Sequence, residues 1–188
     1  MASTAVAARL PVVVDGLGAV GMRVARELAG TDGPPVVLRS QHADRVRTAV
    51  EALGDRVRPW RGSDEATSSV VVVARDAESQ LDAVQQHLAA GRHVVAVADE
   101  PDVVRRMLEL DAQAVEAERS LVVGAAFSPG LSCLLARHAA AALDDTTELR
   151  GAMVGAGGPR CVRRRAAAAL HVAPVLREGE WDTPAKGT

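Results

Sequence analysis

The sequence predicts an α/β chain: a doubly wound, mostly parallel sheet of about six strands with helices on both faces, followed by an incomplete second domain. Short valine-rich runs recur along the chain, amphipathic helical stretches separate them, and glycines cluster where the first run gives way to the first helix. Strand and helix in strict alternation is the pattern of a parallel sheet built from βαβ units.

Val12 to Val14 is an uninterrupted apolar run, the composition of a strand covered on both faces. Gly16, Gly18 and Gly21 follow in the spacing G-x-G-x-x-G, and the helical pattern of Met22 to Ala29 begins near Ala19. Each glycine has its own expected role: Gly16 permits a tight turn, Gly18 lets backbone approach a pyrophosphate, and Gly21 lets the helix press on the strand. Unpaired N–H groups and the positive dipole end at the helix start would face phosphates. Gly16, Leu17, Gly18, Ala19, Val20 and Gly21 are therefore the expected cofactor-binding turn of a Rossmann-type unit. The bland alternative is a glycine-rich turn joining any strand to any helix. The strand before, the helix after and a second strand one unit later favour the dinucleotide reading.

Val36 to Ser40 is the second strand. Where a fold that prefers NAD places an Asp or Glu at the end of this strand, the chain has Arg39 and Ser40. An arginine cannot accept hydrogen bonds from ribose hydroxyls but can pair with a 2′-phosphate, so NADP is expected over NAD. The alternative is a solvated loop arginine. Asp44 to Leu53 reads as a helix stopped by Gly54, Val57 to Trp60 as a third strand with Arg58 and Arg61 outward, and Gly62 to Ser68 as a polar loop. Ser69 to Ala74 is a fourth strand, expected beside the first, which makes Ala74 and Arg75 cofactor candidates at the switch point, a solvated Arg75 reading equally well.

Asp76 to Ala90 is the next helix, closed by Gly91, and His93 to Ala98 the fifth strand, with His93 read as a strand-edge residue. Asp99 is the expected N-cap of a helix that carries Pro101 in its first turn and runs to about Arg119; Leu121 to Ala126 is the sixth strand. Ser128 as N-cap with Pro129 at the first helical position would open an apolar helix, Leu131 to Leu143, and leave free amides near a substrate acid or the nicotinamide. A well-capped core helix reads equally well. Glu148 to Val154 is an expected seventh strand, Gly155 to Pro159 a turn, and Arg160 with Arg163, Arg164 and Arg165 a basic cluster on a solvated face or against a carboxylate. Beyond Leu170 no period is evident.

The 188 residues are enough for one domain or one and a fraction, and 48% hydrophobic against 24% charged residues excludes disorder of the whole chain. A net charge of -2 gives no field that would gather nucleic acid or an anionic membrane. Cys133 and Cys161, one on a helix and one in a polar loop, belong to no C-x-x-C or Cys/His cluster, so free thiols, a reducing cytoplasm and no metal site are expected. The first residues show no charged start followed by a long apolar region and no apolar run approaches membrane length, so a soluble, cytoplasmic protein is expected.

The motifs VVVDGLGAVG, HVVAVADEPD and GAAFSPGLSCLLA resemble the saccharopine dehydrogenase/reductase-like NAD(P)-dependent oxidoreductases, and GAMVGAGGP resembles the opening strand of that family's substrate domain. The resemblance runs from Val12 to Pro159. It implies an NAD(P)-binding domain over residues 1–146 and the start of a truncated substrate domain or an irregular tail over 147–188. It also implies that Gly16, Gly18 and Gly21 hold pyrophosphate, and that Ala98, Asp99 and the turn of Ser128, Pro129 and Gly130 border the nicotinamide.

The leading functional expectation is an NAD(P)-dependent oxidoreductase, or its cofactor domain, acting on a small amino-acid-like or other carboxylate substrate, with NADP preferred to NAD. A non-catalytic dinucleotide-binding module is the second class. An S-adenosylmethionine-dependent methyltransferase is a third, weakened by the absence of a G-x-G-x-G turn and of an acid after the second strand. His87, His93, His138 and His171 have no carboxylate partner identifiable by spacing, so no general acid or base is nominated. Cys161, beside Arg160 and Arg163, is read as an inert thiol rather than a reactive one. A cofactor half with uncovered surface also leaves self-association open.

Overall fold

The computed structural model describes residues 10–64, 70–128, 130–151, 158–168, 175–177 and 180–182. The chain divides into two compact units, Met1–Ala152 and Met153–Thr188. In the first, strands β1 (Val12–Asp15), β2 (Val36–Arg39), β3 (Val57–Pro59), β4 (Val70–Val73), β5 (His93–Ala96) and β6 (Leu121–Val122) form one sheet in the order β3-β2-β1-β4-β5-β6. Every pairing in it is parallel. The expected doubly wound sheet is thus observed, with β4 beside β1 and the order reversing between them.

Valine runs suit this sheet because alternate side chains enter opposite faces and both faces are covered. Val14, Val36, Leu38 and Val57 enter one face, where Ala25 of α1 (Ala19–Ala29) and Ala49 of α2 (Ala43–Leu53) pack on them. Val13, Val37, Val71, Val73, Val94 and Ala96 enter the other. There Leu81, Ala83, Val84 and Leu88 of α3 (Ala77–Ala89), Met107 of α4 (Pro101–Leu108) and Ala114 of α5 (Asp111–Glu116) cover them. Each fully buried valine contributes about 1.5–3 kcal/mol relative to its exposed state. Asp76 caps α3, its carboxylate accepting from the Ser79 amide at 3.2 Å and the Ser79 hydroxyl at 2.7 Å.

Several expected boundaries move, each for a local reason. The helix expected from Pro101 to Arg119 is two, because the Leu110 amide bonds to the Met107 carbonyl at 3.1 Å, a tighter turn that keeps both Met107 and Ala114 on the sheet. Its N-cap is Glu100, not Asp99. Strand β6 ends at Val122 rather than Ala126, since the chain bends away at Gly124 (φ 76°). Arg58 is partly exposed, as expected, but it is not merely solvated: its guanidinium grips the buried Asp64 carboxylate, with Nη1 donating at 2.8 Å, and closes the turn after β3.

Helix α6 (Leu131–Ala140) stops short of Leu143, and Glu148 to Gly151 lies in no strand. The rest of that expected strand, and most of the turn after it, lie outside the described residues. In the second unit, Pro159 opens a helix, α7 (Pro159–Ala168), so the basic cluster and Cys161 sit on a helix rather than in a loop. Strands β7 (Val175–Arg177) and β8 (Glu180–Asp182) pair antiparallel, with Leu176 opposite Trp181. The featureless tail expected beyond Leu170 therefore contains a pair of antiparallel strands. Its alternation is too short to register as a period.

Leu88, fully buried between α3 and the sheet, tests how much of the stability resides in this layer. Leu88→Ala is expected to cost about 2–5 kcal/mol, seen as a lower urea midpoint at an unchanged slope.

Candidate functional site

The site grows out of the junction of β1 and α1, at the carboxyl edge of the sheet where the strand order reverses. β1 is held on both sides up to its last residue: the Gly16 amide donates to the Arg39 carbonyl at 2.9 Å, and the Ala74 amide donates to the Asp15 carbonyl at 2.8 Å. The chain then turns sharply. Gly16 has φ 108°, and a Cβ on it would lie 2.5 Å from the Ala74 carbonyl oxygen and 2.9 Å from the Arg75 nitrogen. Only glycine satisfies both conditions.

Leu17 anchors the turn, its buried side chain packing with the α1/α2 core. Gly21 is required for a different reason: a Cβ there would collide with the carbonyl oxygen of Gly16, so its absence lets α1 close onto the turn. Gly18 stands apart. Its φ of -80° is ordinary, and a Cβ on it would meet nothing within 4 Å. Nothing in the described structure requires a glycine at that position.

The first backbone bond of α1 runs from the Met22 amide to the Gly18 carbonyl at 3.0 Å. Amides ahead of it belong to the first turn, whose N–H groups have no acceptor within a helix. Gly18, Ala19 and Val20, which carry three of them, are exposed, and α1 has no acidic residue in its first turn to compete for them. The turn thus presents bare donors at the positive end of a helix dipole, an arrangement suited to an anion.

Beneath the turn lies a polar network that spacing alone did not disclose. Asp15, 1% exposed, accepts from Arg75 Nε at 2.9 Å through Oδ1, and from Arg75 Nη2 at 2.8 Å through Oδ2. His87 Nε2 lies 2.9 Å from the same Oδ2. Arg92 Nη1 lies 3.0 Å from His87 Nδ1. A guanidinium can only donate, so Nδ1 accepts and the ring proton sits on Nε2, donated to Asp15; the tautomer follows from its partners. Burial pushes the Asp15 carboxyl up, but the hydrogen bonds from His87 and Arg75 and the Arg75 charge outweigh it, leaving the group below its ordinary value of 3.8.

His87 therefore has a carboxylate partner, 72 residues away in sequence, and Arg75 is not solvated but committed to Asp15. Two signals were legible. An aspartate directly after three valines in a core strand needs a buried partner, and His87 lies three residues beyond Val84 on the apolar stripe of α3.

The other expected site residues fall as follows. Ala74 packs beside the glycine turn, its Cβ 3.4 Å from where one on Gly21 would be. Arg39 is half-buried, and its guanidinium carbon lies 5.1 Å from the Trp60 ring centre. The Ser40 hydroxyl accepts from the His42 amide at 3.1 Å, which commits it to the turn before α2. Ala98 is buried in the core, so only its backbone is available to a ligand, whereas Asp99 is exposed.

The Ser128 to Gly130 turn differs from expectation. Ser128 is exposed and caps nothing, Pro129 lies outside the described residues, and the helix starts from Gly130 at φ 130°. A Cβ on Gly130 would strike the carbonyls of Gly124 and Ala126. The Leu131 and Ser132 amides donate to the Ala126 and Phe127 carbonyls at 3.0 and 2.8 Å, so this helix start does not offer them to a substrate. His93 Nδ1 accepts from the Ser120 amide at 3.1 Å, the strand-edge role expected of it.

No protein-family model and no curated protein sequence matches the chain at a significant level. Solved structures do match its fold. Apo saccharopine dehydrogenase (L-Glu forming) from Saccharomyces cerevisiae is similar over 71% of this chain, with 18% identity and a TM-score of 0.57. A myo-inositol dehydrogenase from Corynebacterium glutamicum is similar over 73%, with 16% identity and a TM-score of 0.51. The matched part spans 31% of the yeast chain and 43% of the bacterial one. The fold is thus the Rossmann type that the sequence predicts, shared with these two solved structures.

The Asp15 network makes a signed prediction. A carboxyl held below its ordinary value adds stability that is fully present above pH 3.8 and is lost as the pH falls through the lower folded value. Asp15→Asn is expected to cost about 3–5 kcal/mol at neutral pH, because it removes the charge that pairs with Arg75 and replaces one of the two acceptor oxygens with a donor. Urea denaturation at several pH values should also show a shallower loss of stability below about pH 4 than in the parent chain.

Proposed function

We propose that this chain is the nicotinamide-dinucleotide-binding part of an NAD(P)-dependent oxidoreductase of saccharopine-dehydrogenase-like type. The observation that carries the reading is Gly18. Gly16 and Gly21 are needed by the fold itself, whereas the space over Gly18 is empty and its backbone angle is open to any residue. The demand for a missing side chain at that point then comes from outside the protein, from a group that must lie against the backbone. Next to the bare amides of the first turn of α1, a pyrophosphate fits that demand.

In this reading the amides around Gly18, Ala19 and Val20 hold the pyrophosphate. Ala74 walls the turn, and Arg39 with Ser40 faces the adenosine ribose. Arg39 favours NADP, because a guanidinium edge pairs with a 2′-phosphate, and no carboxylate among the described residues pairs with it. Arg75, bound to Asp15, supports the turn from below. When bound, the nicotinamide supplies the hydride chemistry, and the chain supplies position and charge. A small amino-acid-like or other carboxylate substrate follows from the sequence resemblance.

Binding and folding should separate cleanly across the three glycines. Gly18→Val is expected to weaken NADPH binding by about tenfold or more at an unchanged melting temperature. Gly16→Val and Gly21→Val should each lose about 2 kcal/mol or more of stability. NADPH fluorescence and thermal denaturation read the two effects. Parent protein that binds neither NADPH nor NADH at about 1 mM, or that takes S-adenosylmethionine instead, overturns the proposal.

Arg39→Ala is expected to weaken NADPH binding by about tenfold while moving NADH by less than about twofold. Calorimetry with both cofactors checks the preference, and an NADPH affinity unchanged within that margin would remove Arg39 from the site.

A further inference from the structure

We propose that Trp60 is the specificity-positioning residue of the dinucleotide site: its indole holds the Arg39 guanidinium flat, so that the guanidinium edge meets the 2′-phosphate of the adenosine ribose. The inference rests on the nicotinamide-dinucleotide reading above and assigns a role to a residue at which the glycine motif gives no hint.

Trp60 directly follows β3 and is tied to the end of β2 by its own amide, which donates to the Leu38 carbonyl at 2.9 Å. Arg39 is the next residue along β2, so this bond brings the indole to the position from which the guanidinium projects. The ring is partly buried against the core cluster formed with Val13, Val37 and Val71. It therefore cannot swing freely. Arg39 Cζ lies 5.1 Å from the ring centre, within the roughly 6 Å over which a cation is attracted to an indole face.

Arg92 fixes the plate from the protein interior. Its guanidinium carbon lies 5.6 Å from the same ring centre, and it is 2% exposed, held through His87 to Asp15. A run of contacts, Asp15 to His87 to Arg92 to Trp60 to Arg39, thus links the carboxylate beneath the glycine turn to the cation at the end of β2. Both ends of an adenosine diphosphate, the pyrophosphate and the ribose 2′ position, would be served by one supported frame.

A guanidinium laid flat on the ring would make this arrangement selective. A guanidinium that lies over an aromatic face spends its face on the ring and keeps its N–H donors pointing outward in the plane. In-plane donors match two oxygens of a phosphate, whereas ribose hydroxyls need an acceptor that arginine lacks. A loose arginine would have to give up its rotamer freedom on binding; one already laid on an indole has surrendered most of it.

The test is calorimetric titration of the full chain with NADP+ and NAD+, using the parent, Trp60→Phe, Trp60→Leu, Arg39→Ala and the Trp60→Leu/Arg39→Ala double variant, with melting curves for each. Trp60→Leu should weaken NADP+ about tenfold and NAD+ less than about twofold. Trp60→Phe, which keeps a smaller ring, should lose about two- to fourfold on NADP+ alone, and it decides the matter if the leucine variant fails to fold. The double variant should bind NADP+ no more weakly than Arg39→Ala, since Trp60 acts through Arg39. Equal weakening of both cofactors, or a preference unchanged in the Trp60 variants, overturns the inference and leaves the dinucleotide reading standing. A parent that binds neither cofactor overturns both.

Discussion

A single carboxylate sits under everything this chain presents at the edge of its sheet. Asp15 ends the first strand, is shut away from water, and is ringed by Arg75 and His87, which reach it from the end of the fourth strand and from the third helix. Such an ion is tolerable only because its oxygens are saturated with donors. Saturation has a geometric result. The end of β4, the helix behind it and the start of the glycine turn meet at one point, beside the backbone pairing that brings Ala74 against Gly16.

Much of the fold could be read in the order of residues because its main signals are local. Valine runs, intervening amphipathic stretches and capping residues such as Asp76 each act within a few positions, and the parallel sheet with β4 beside β1 follows from their alternation. Where the reading drifted, the deciding contact was distant or conformational. Asp99 yielded its capping place to Glu100, and Ser128 lost its own to a glycine held between the carbonyls of Gly124 and Ala126. No local preference for serine could outweigh that close passage of backbone.

The site divides the same way. Its backbone half, Gly16 to Gly21, was legible because glycine spacing is a direct record of backbone demands. Its side-chain half was not: Asp15 and His87 stand 72 positions apart, and Trp60 reaches Arg39 from the neighbouring strand. A buried acid at the end of a valine strand announces that a partner exists without saying which one. The third dimension supplies the name.

The open space above Gly18 has an evolutionary corollary. Gly16 and Gly21 are guarded by folding, so any descendant that stays folded must keep them. In the proposed reading, Gly18 answers to the ligand alone. In a lineage that had given up its coenzyme, the outer glycines would persist as fossils of the architecture while the middle one drifted to alanine, serine or valine. The identity of that one position across descendants would then record, with the scaffold intact, which branches still bind.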